Sequence, residues 1–413
     1  MQEMKDSGMI RLKYVVDIFG RIGFRGYTEQ DLVDENEGAI TLSPSNIQNM
    51  KMDYSKCSFL TWQKYYESPE IKIKNGDVLF VKTGSTYGKV GYVENLPMEA
   101  TINPQLVVFK NISMNSKLLF YMLQMSFVKD QCELAVVGGT IPTMSQVKIG
   151  NIYIPFPSLV EQQRIAEFLD RECGKIDGLK VDIQAQIDTL EQYKRSIITE
   201  AVTHGLNPSA PMKDSGITWV GKTPEYWKVG RIGGLYELRN QKVSDKDFMP
   251  LSVTMKGILP QLETAAKTND GDNRKLVRVG DFAINSRSDR RGSCGISDYD
   301  GSVSLINTIL KPRNRMNAKY YNWLFHTPMF ADEFYKWGHG IVDDLWTTNW
   351  SEMKRISIPL PPIDEQQEIA DYLDNKCAEI EQIIADKKSQ IETLDGYKKS
   401  LIYEYVTGKK EVV

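Results

Sequence analysis

The stretch IPFPSLVEQQRIAEFLD, from Ile154 to Asp170, returns as IPLPPIDEQQEIADYLD, from Ile358 to Asp374. The two stretches begin 204 residues apart (358 against 154), and the repetition continues downstream without a gap. QIDTLEQYKRSIITEAVT at Gln186–Thr203 corresponds to QIETLDGYKKSLIYEYVT at Gln390–Thr407. Repetition at a fixed offset indicates that a unit of about 200 residues has been duplicated.

The duplication extends into the segments that precede these stretches. NGDVLF at Asn75–Phe80 corresponds to VGDFAI at Val279–Ile284 at the same offset. MKDSG occurs at Met4–Gly8 and at Met212–Gly216, where the offset is 208, so a small insertion or deletion separates the copies. Each unit therefore comprises a long block followed by the repeated segment.

The repeated segment predicts a long helix in each copy. Prolines precede it, Ser158 with Glu161 has the spacing of a capping box, and Asp364 with Gln367 can take that role in the second copy. Gly205 and Gly408 suit the two helix ends. Each helix is then about 40 residues, or roughly 60 Å, long.

Apolar residues recur about every 3.5 positions along both predicted helices, which is typical of a coiled-coil seam. We expect the two helices to pack antiparallel on each other; the alternative is that each stripe packs on its own block. The predicted seam residues are Ile165, Leu169, Ile176, Ile183, Leu190, Ile197, Ile369, Leu373, Ile380, Ile384, Ile391, Leu394 and Leu401.

The blocks between the helices are predicted to be mixed α/β. Short apolar runs such as DVLFVKTG and QLVVFK are bounded by Gly, Asn and Pro, which is typical of strands. Residues 116–134 are predicted to form one helix, and residues 317–337 a helix broken near Pro328. The expected fold class is α+β, with two mixed α/β blocks, two long helices forming an antiparallel coiled coil, and an internal pseudo-two-fold repeat.

Composition excludes several classes of protein. The 413 residues contain no run of about 20 apolar residues and no N-terminal signal-peptide pattern. Five cysteines without a CxxC pair indicate reduced thiols in a cytoplasmic protein. With only three histidines, none at ligand spacing with a cysteine, no metal site is expected.

Charge is distributed unevenly along the chain. Residues 1–157 carry 16 basic and 16 acidic side chains, and residues 207–357 carry 22 and 17. The helical segments are acidic, with 6 basic and 9 acidic side chains in residues 158–206 and 7 and 12 in residues 358–413. A polyanion is therefore expected to bind the blocks and not the helices.

No catalytic motif is found in the sequence. It contains neither GxxxxGK[ST] nor GxGxxG, and it lacks the Asn/Asp-Pro-Pro-aromatic run with which adenine methyltransferases act on a flipped base. The glycine-rich run VVGGTIPT at Val136–Thr143 is more simply a turn than a phosphate cradle. We expect a non-enzymatic chain.

Loops that follow the Gly-Asp strands interleave cations, hydroxyls, glycine and aromatics, which suits phosphate and base-edge contacts with DNA. The alternative for any single residue is an ordinary solvated turn. Candidate contacts in the first block are Arg21, Arg25, Tyr27, Lys82, Thr83, Ser85, Tyr87, Lys89, Gly139 and Thr140. Those in the second block are Arg239, Lys242, Ser286, Arg287, Arg290, Arg291, Lys336, Trp346 and Thr347.

The paired helix openings, with MKDSGITWVGKTPEYW at Met212–Trp227, resemble the specificity subunit of type I restriction–modification systems over the whole chain. The resemblance implies target recognition domains at 1–157 and 207–360 and long helices at 158–206 and 361–413. It also implies a non-catalytic protein that reads a bipartite, asymmetric double-stranded DNA target, with the helices setting the gap.

The implied partners are two modification (methyltransferase) subunits and two restriction (motor–nuclease) subunits, and no membrane. S-adenosylmethionine would bind the modification subunits, ATP and Mg²⁺ the restriction subunits, and none of them this chain. Two departures stand out: the first copy lacks the Trp219–Trp227 segment, and KTGSTYGK differs from NSRSDRRG, so we expect dissimilar half-sites. The rival interpretations are a coiled-coil scaffold with two protein-binding blocks and a self-sufficient nuclease or methyltransferase.

Overall fold

The computed structural model describes residues 8–21, 23–48, 50–136, 141–261, 271–313, 316–340 and 346–412. Contacts divide the chain into two compact units, and each is made from two stretches of sequence. Unit 1 comprises Met1–Ile183 and Ser389–Val413, and unit 2 comprises Gln184–Lys388. Both long helices pass from one unit into the other, so each unit contains part of each helix. The four sequence segments expected above stay a prediction.

Unit 1 contains a mixed set of short elements before its first long helix. Its strands are β1 (Met9–Arg11), β2 (Asp17–Gly20), β3 (Leu32–Val33), β4 (Gly38–Leu42), β5 (Ile47–Gln48), β6 (Lys51–Met52), β7 (Ser58–Thr61), β8 (Val78–Val81), β9 (Val90–Tyr92), β10 (Ala100–Ile102), β11 (Leu106–Lys110) and β12 (Tyr153–Pro155). Its helices are α1 (Trp62–Tyr66), α2 (Ser116–Met122), α3 (Ser126–Ala135), α4 (Gln146–Gly150) and the first part of α5 (Leu159–His204).

Unit 2 repeats the plan, and it also contains a hairpin that the described residues of unit 1 lack. Its strands are β13 (Met212–Ile217), β14 (Gly221–Pro224), β15 (Lys228–Arg231), β16 (Tyr236–Leu238), β17 (Lys242–Val243), β18 (Leu251–Thr254), β19 (Gly257–Pro260), β20 (Arg274–Val277), β21 (Phe282–Asn285), β22 (Cys294–Ile296), β23 (Gly301–Val303), β24 (Asn307–Pro312) and β25 (Ser357–Leu360). Its helices are α6 (Ile232–Leu235), α7 (Ala318–Phe325), α8 (Pro328–Lys336), α9 (Trp350–Met353) and most of α10 (Ile363–Val406).

Each unit is organised around a four-stranded antiparallel sheet with the same topology. The strand order is β2-β11-β8-β9 in unit 1 and β16-β24-β21-β22 in unit 2. One central strand of each sheet, β8 and β21, is fully buried, as expected for apolar runs covered on both faces. A second sheet differs: unit 1 has the order β10-β4-β7-β3 with a parallel β10–β4 pair, whereas unit 2 has β17-β20-β23.

α5 begins, and both long helices end, as the sequence predicts, but Asp364 does not cap α10 because it lies inside that helix, which begins at Ile363. The Ser158 backbone N–H donates to Glu161 Oε2 at 2.9 Å and the Glu161 N–H to Ser158 Oγ at 3.4 Å, which completes a capping box. α5 has 46 residues and α10 has 44. Beyond them Gly205 and Gly408 adopt φ of +77° and +70°, the left-handed conformation that favours glycine at a helix end.

Within each unit the two long helices run antiparallel and pack on each other. In unit 1, Phe168 near the start of α5 contacts Tyr405 near the end of α10, with ring centroids 4.2 Å apart. Of the predicted seam residues, nine are buried and Ile183, Leu190, Ile391 and Leu394 are half-buried. Both arrangements considered for the apolar stripes occur: the two helices pack on each other, and each stripe also packs on a block. Leu169 and Leu401 belong to the core of unit 1, and Leu373 belongs to the core of unit 2.

The structure corrects the helix predicted at residues 116–134 and explains the segment that the first copy lacks. Residues 116–134 form two helices, not one, because the chain turns at Leu123–Met125 as it does at His326–Thr327 in unit 2. The break therefore belongs to the fold and does not need Pro328. The segment missing from the first copy supplies the turn and the second strand of the β13–β14 hairpin in unit 2. Trp227 follows this hairpin, and its Nε1 donates to Glu365 Oε2 at 2.9 Å.

Candidate nucleic-acid interface

In unit 1 the loop after β8 is joined to the segment that immediately precedes α4. The Gly84 N–H donates to Pro142 O at 3.0 Å and the Met144 N–H to Lys82 O at 2.9 Å. Thr83 and Thr143 face each other across this short antiparallel bridge. The end of the run VVGGTIPT, residues 141–143, thus lies beside KTGSTYGK, while Gly139 and Thr140 lie outside the described residues.

Unit 2 contains the same arrangement at every position, shifted by the offset of the sequence repeat. The Ser288 N–H donates to Trp346 O at 2.9 Å and the Thr348 N–H to Ser286 O at 3.0 Å. Arg287 faces Thr347, as Thr83 faces Thr143 in unit 1. We call these two surfaces the paired loops: residues 82–89 with 141–144, and residues 286–291 with 346–348. The backbone is repeated while the side chains differ.

The paired loop of unit 2 is anchored from beneath and exposes Arg290 and Arg291, whereas Arg287 is half-buried. Tyr335 on α8 donates its hydroxyl to the carbonyl oxygens of Asn285 and Arg290, each at 3.2 Å. Burial raises the pKa of this hydroxyl well above its ordinary value, so it remains a donor. The Arg290 side chain is 67% exposed, with the adjacent Asp289 as its near ion-pair partner at 3.7 Å. Arg291 pairs with Asp332 of α8.

Other cations predicted in unit 2 lie at different depths. Lys336 at the end of α8 is 71% exposed and lies 3.8 Å from Glu333. Arg239 instead forms a bidentate pair with the buried Asp281, at 2.5 and 3.0 Å, and this hydrogen bonding raises the pKa of its guanidinium. Lys242 is exposed, and Trp346 and Thr347 are half-buried beside the loop. Arg239 therefore stabilises the sheet.

The paired loop of unit 1 carries fewer cations than that of unit 2. Lys82 is half-buried, and loss of hydration lowers the pKa of its ammonium group. Ser85 is exposed at the tip, and Tyr87 packs against the core. Lys89 ends the loop and reaches Pro44 O at 3.4 Å. The surface is mainly hydroxyls and backbone groups.

Two predicted contact residues are buried and need correction. Arg21 is 5% exposed, and its guanidinium donates to Ile102 O at 3.1 Å and to Thr101 Oγ1 at 3.0 Å. Burial lowers its pKa, against the opposing effect of Tyr27, whose ring lies 5.2 Å from the guanidinium. Ser286 is 4% exposed and shares a 2.8 Å hydrogen bond with Thr308. Both hold loops in place instead of facing a ligand.

The remaining predicted residue in this region, Arg25, lies at the surface. Its Nη1 donates to Glu70 Oε1 at 3.3 Å, and 37% of its side chain is exposed. Thr143 was missed by sequence reasoning, although the repeat offset, which maps Thr143 onto Thr347, was the signal that could have found it. The described residues contain no group of His, Cys, Asp and Glu able to hold a metal ion. Among them, no helix is long and apolar enough to cross a bilayer.

Comparison with protein families agrees with the duplicated architecture. Residues 24–189 and 224–393 each match the family described as type I restriction modification DNA specificity domain. The chain belongs to this family. The two matches fall on the two copies inferred from the repeat, so each copy is one family domain.

Curated relatives from distant organisms resemble the chain along most of its length. The MjaVIII specificity subunit of a type I restriction enzyme from Methanocaldococcus jannaschii is 25% identical over 365 residues, covering 83% of this chain and 81% of the relative. The EcoKI specificity subunit from Escherichia coli K12 is 20% identical over 393 residues, covering 88% and 81%.

Solved structures share the fold. One is a chain from a structure that describes the structural basis of complex assembly and conformational transition of the type I R-M system. It superimposes with a TM-score of 0.69 at 16% identity, and the alignment covers 96% of this chain and 97% of the other. The HsdS subunit from Thermoanaerobacter tengcongensis gives 0.51 at 17% identity, with 97% of each chain covered. At these identities the likeness concerns the fold alone.

Proposed function

We propose that the chain reads a bipartite double-stranded DNA target, each paired loop contacting one half. The observation that carries this proposal is the repeated backbone of the two paired loops with unlike side chains. A common frame supplies the same approach to the duplex, and different side chains select different base edges. Arg287 and Arg290 suit guanine edges, whereas the hydroxyls of Thr83 and Ser85 suit either donors or acceptors on a base.

The chemistry would reside in partner subunits. Two modification subunits, carrying S-adenosylmethionine, would methylate adenine at N6, and two restriction subunits, using ATP and Mg²⁺, would cleave unmodified DNA. The contribution of this chain is binding and positioning, without a catalytic residue of its own. The acidic outer faces of α5 and α10 favour protein partners over DNA, because like charges repel the phosphate backbone.

The long helices would set the number of unspecified bases between the half-sites. An α-helix rises about 1.5 Å per residue and is stiff, so continuous helices give a fixed spacing where a flexible linker would give a range. Because the paired loops differ, the half-sites are expected to differ in sequence, giving an asymmetric target.

Mapping of modified adenines across the genome, in cells with and without this chain, tests the proposal. We expect a single bipartite motif with a constant gap, present only in cells that contain the chain. A palindromic motif would contradict the assignment of different half-sites to different loops. Modification that persists without the chain would contradict the specificity role altogether.

A further inference from the structure

A cleft of about 530 Å³ in unit 1 begins where the paired loop ends. Gly88 and Lys89, the last residues of that loop, form one wall, and Lys129 on α3 contributes a second. The C-terminal part of α10 forms a third, with Asp395, Lys398 and Lys399. Four ammonium groups and one carboxylate therefore line a single concave surface.

Ion pairing leaves three of these lysines with uncompensated charge. Lys398 Nζ lies 2.7 Å from Asp177 Oδ1, and Asp395 Oδ1 lies 2.5 Å from Lys180 Nζ, so both of these groups are neutralised. Within the described residues, Lys89, Lys129 and Lys399 have no carboxylate within ion-pair distance. A local charge of three attracts a polyanion.

Comparison with the corresponding positions of unit 2 shows which of these three lysines the shared fold does not require. Lys89 corresponds to Ser293, because the Val81 N–H donates to Lys89 O and the Asn285 N–H to Ser293 O, both at 2.9 Å. Lys129 corresponds to Ala331, since each N–H bonds at 3.1 Å to the residue that caps its helix. Arg195 stands where unit 1 has Lys399. Two of the three unpaired cations are thus particular to unit 1.

We propose that this cleft, through Lys129 and Lys399 with Lys89, binds the sugar–phosphate backbone of DNA beside the half-site read by unit 1, independently of base sequence. This inference rests on the proposed DNA-reading function and adds an asymmetry to it. DNA is favoured over an acidic protein segment because the paired loop runs directly into the cleft, so a duplex lying on the loop continues into it. Unit 1, poor in reading cations, would obtain part of its affinity here.

The test uses the chain assembled with its modification subunits and two DNA duplexes, one with the mapped target and one with both half-sites scrambled. The variant K129A/K399A removes two cations, neither of which lies in the paired loop. The matched control K56A/K74A removes two exposed lysines of unit 1 outside the cleft. Affinity is measured for both duplexes over a range of salt concentrations.

We expect K129A/K399A to weaken both duplexes by the same factor, roughly tenfold, and to reduce the slope of log affinity against log salt by about 2 relative to the control. The preference for the target should stay unchanged. A slope equal to the control's would overturn the proposal, as would a loss confined to the target duplex. Release of modification subunits with an unchanged slope would instead identify an acidic protein occupant.

K89S, which introduces the residue found at the corresponding position of unit 2, adds a third arm. It should lower the slope by about 1 with the target preference intact, and a changed preference would remove Lys89 from the backbone-binding set. If the proposed function itself is wrong, the result is different. The complex without any substitution would then bind the target and the scrambled duplex equally well, whatever the slopes of log affinity against log salt.

Discussion

The side-chain oxygen of Gln162 accepts a 2.9 Å hydrogen bond from the backbone N–H of Asn115. The Gln162 amide donates in turn to Pro157 O at 2.9 Å. Asn115 caps α2 through Leu118, so one glutamine ties the start of α5 to the start of α2. Unit 2 repeats these bonds with Gln366, Asn317 and Pro361. This clamp gives a structural reason for the two copies of the PxxxEQQ sequence.

Replacing Gln162 or Gln366 with alanine should destabilise the chain by about 1–3 kcal/mol, because a backbone N–H and a carbonyl that are at least half-buried each lose their partner. The two glutamines are 1% and 5% exposed, so water does not replace the missing groups. Q184A on the exposed side of α5 is the control, with an expected change within about 0.5 kcal/mol. Urea unfolding measures all three, and equal stabilities would contradict the clamp.

Two ion pairs at equivalent positions of the helix seam should contribute differently to the free energy of unfolding. Lys398 and Asp177 in unit 1 have side chains 6% and 20% exposed, whereas Lys194 and Glu381, at the corresponding positions in unit 2, are 23% and 65% exposed. D177N leaves a buried ammonium without its anion and should cost up to about 3 kcal/mol. E381Q should cost less than about 1 kcal/mol, because water screens that pair. Thermal unfolding of the two variants compares them; a larger loss for E381Q would refute this ranking.

Arg290 should behave as a base-reading residue. Truncation in R290A should cost about 1–3 kcal/mol of binding at the target and relax one base position in the mapped motif. R278A removes the same charge from unit 2 outside the paired loop, where Arg278 pairs with Asp300 at 2.5 Å, and should leave the motif unchanged. Binding assays with single-base variants of the target provide the measurement. Uniform weakening of every sequence would make Arg290 a phosphate contact.

Inserting four residues into both long helices should lengthen the unspecified gap. Four residues add about 6 Å, close to the rise of two base pairs, and rotate the helix only slightly beyond one turn. The insertions would follow Gln184 in α5 and Lys388 in α10, where both residues are exposed. Adenine mapping then reports the new gap. A gap of unchanged length would exclude the helices as the spacer.

Repetition and periodicity in the sequence predict most of the architecture. The constant offset between the copies predicted two equivalent units, and the apolar period predicted α5, α10 and their seam. Both signals come from residue spacing or from comparing the sequence with itself, so neither depends on which residues become neighbours in the fold. The paired loops were only partly predicted: Trp346 and Thr347 were named in unit 2, but Thr143, which the repeat offset maps onto Thr347, was not. Both bridges join residues far apart in sequence, and periodicity does not reveal such pairs.

The sequence by itself determined the duplication, the two capped helices and the uneven charge along the chain, since each depends on residue type and spacing alone. Only the tertiary structure decided that Arg21 is interior while Arg290 is exposed, and that Lys398 is neutralised while Lys129 is not. The physical reason is that burial and ion pairing depend on which side chains the fold brings within a few ångströms, and an arginine or lysine has the same sequence signature in either environment.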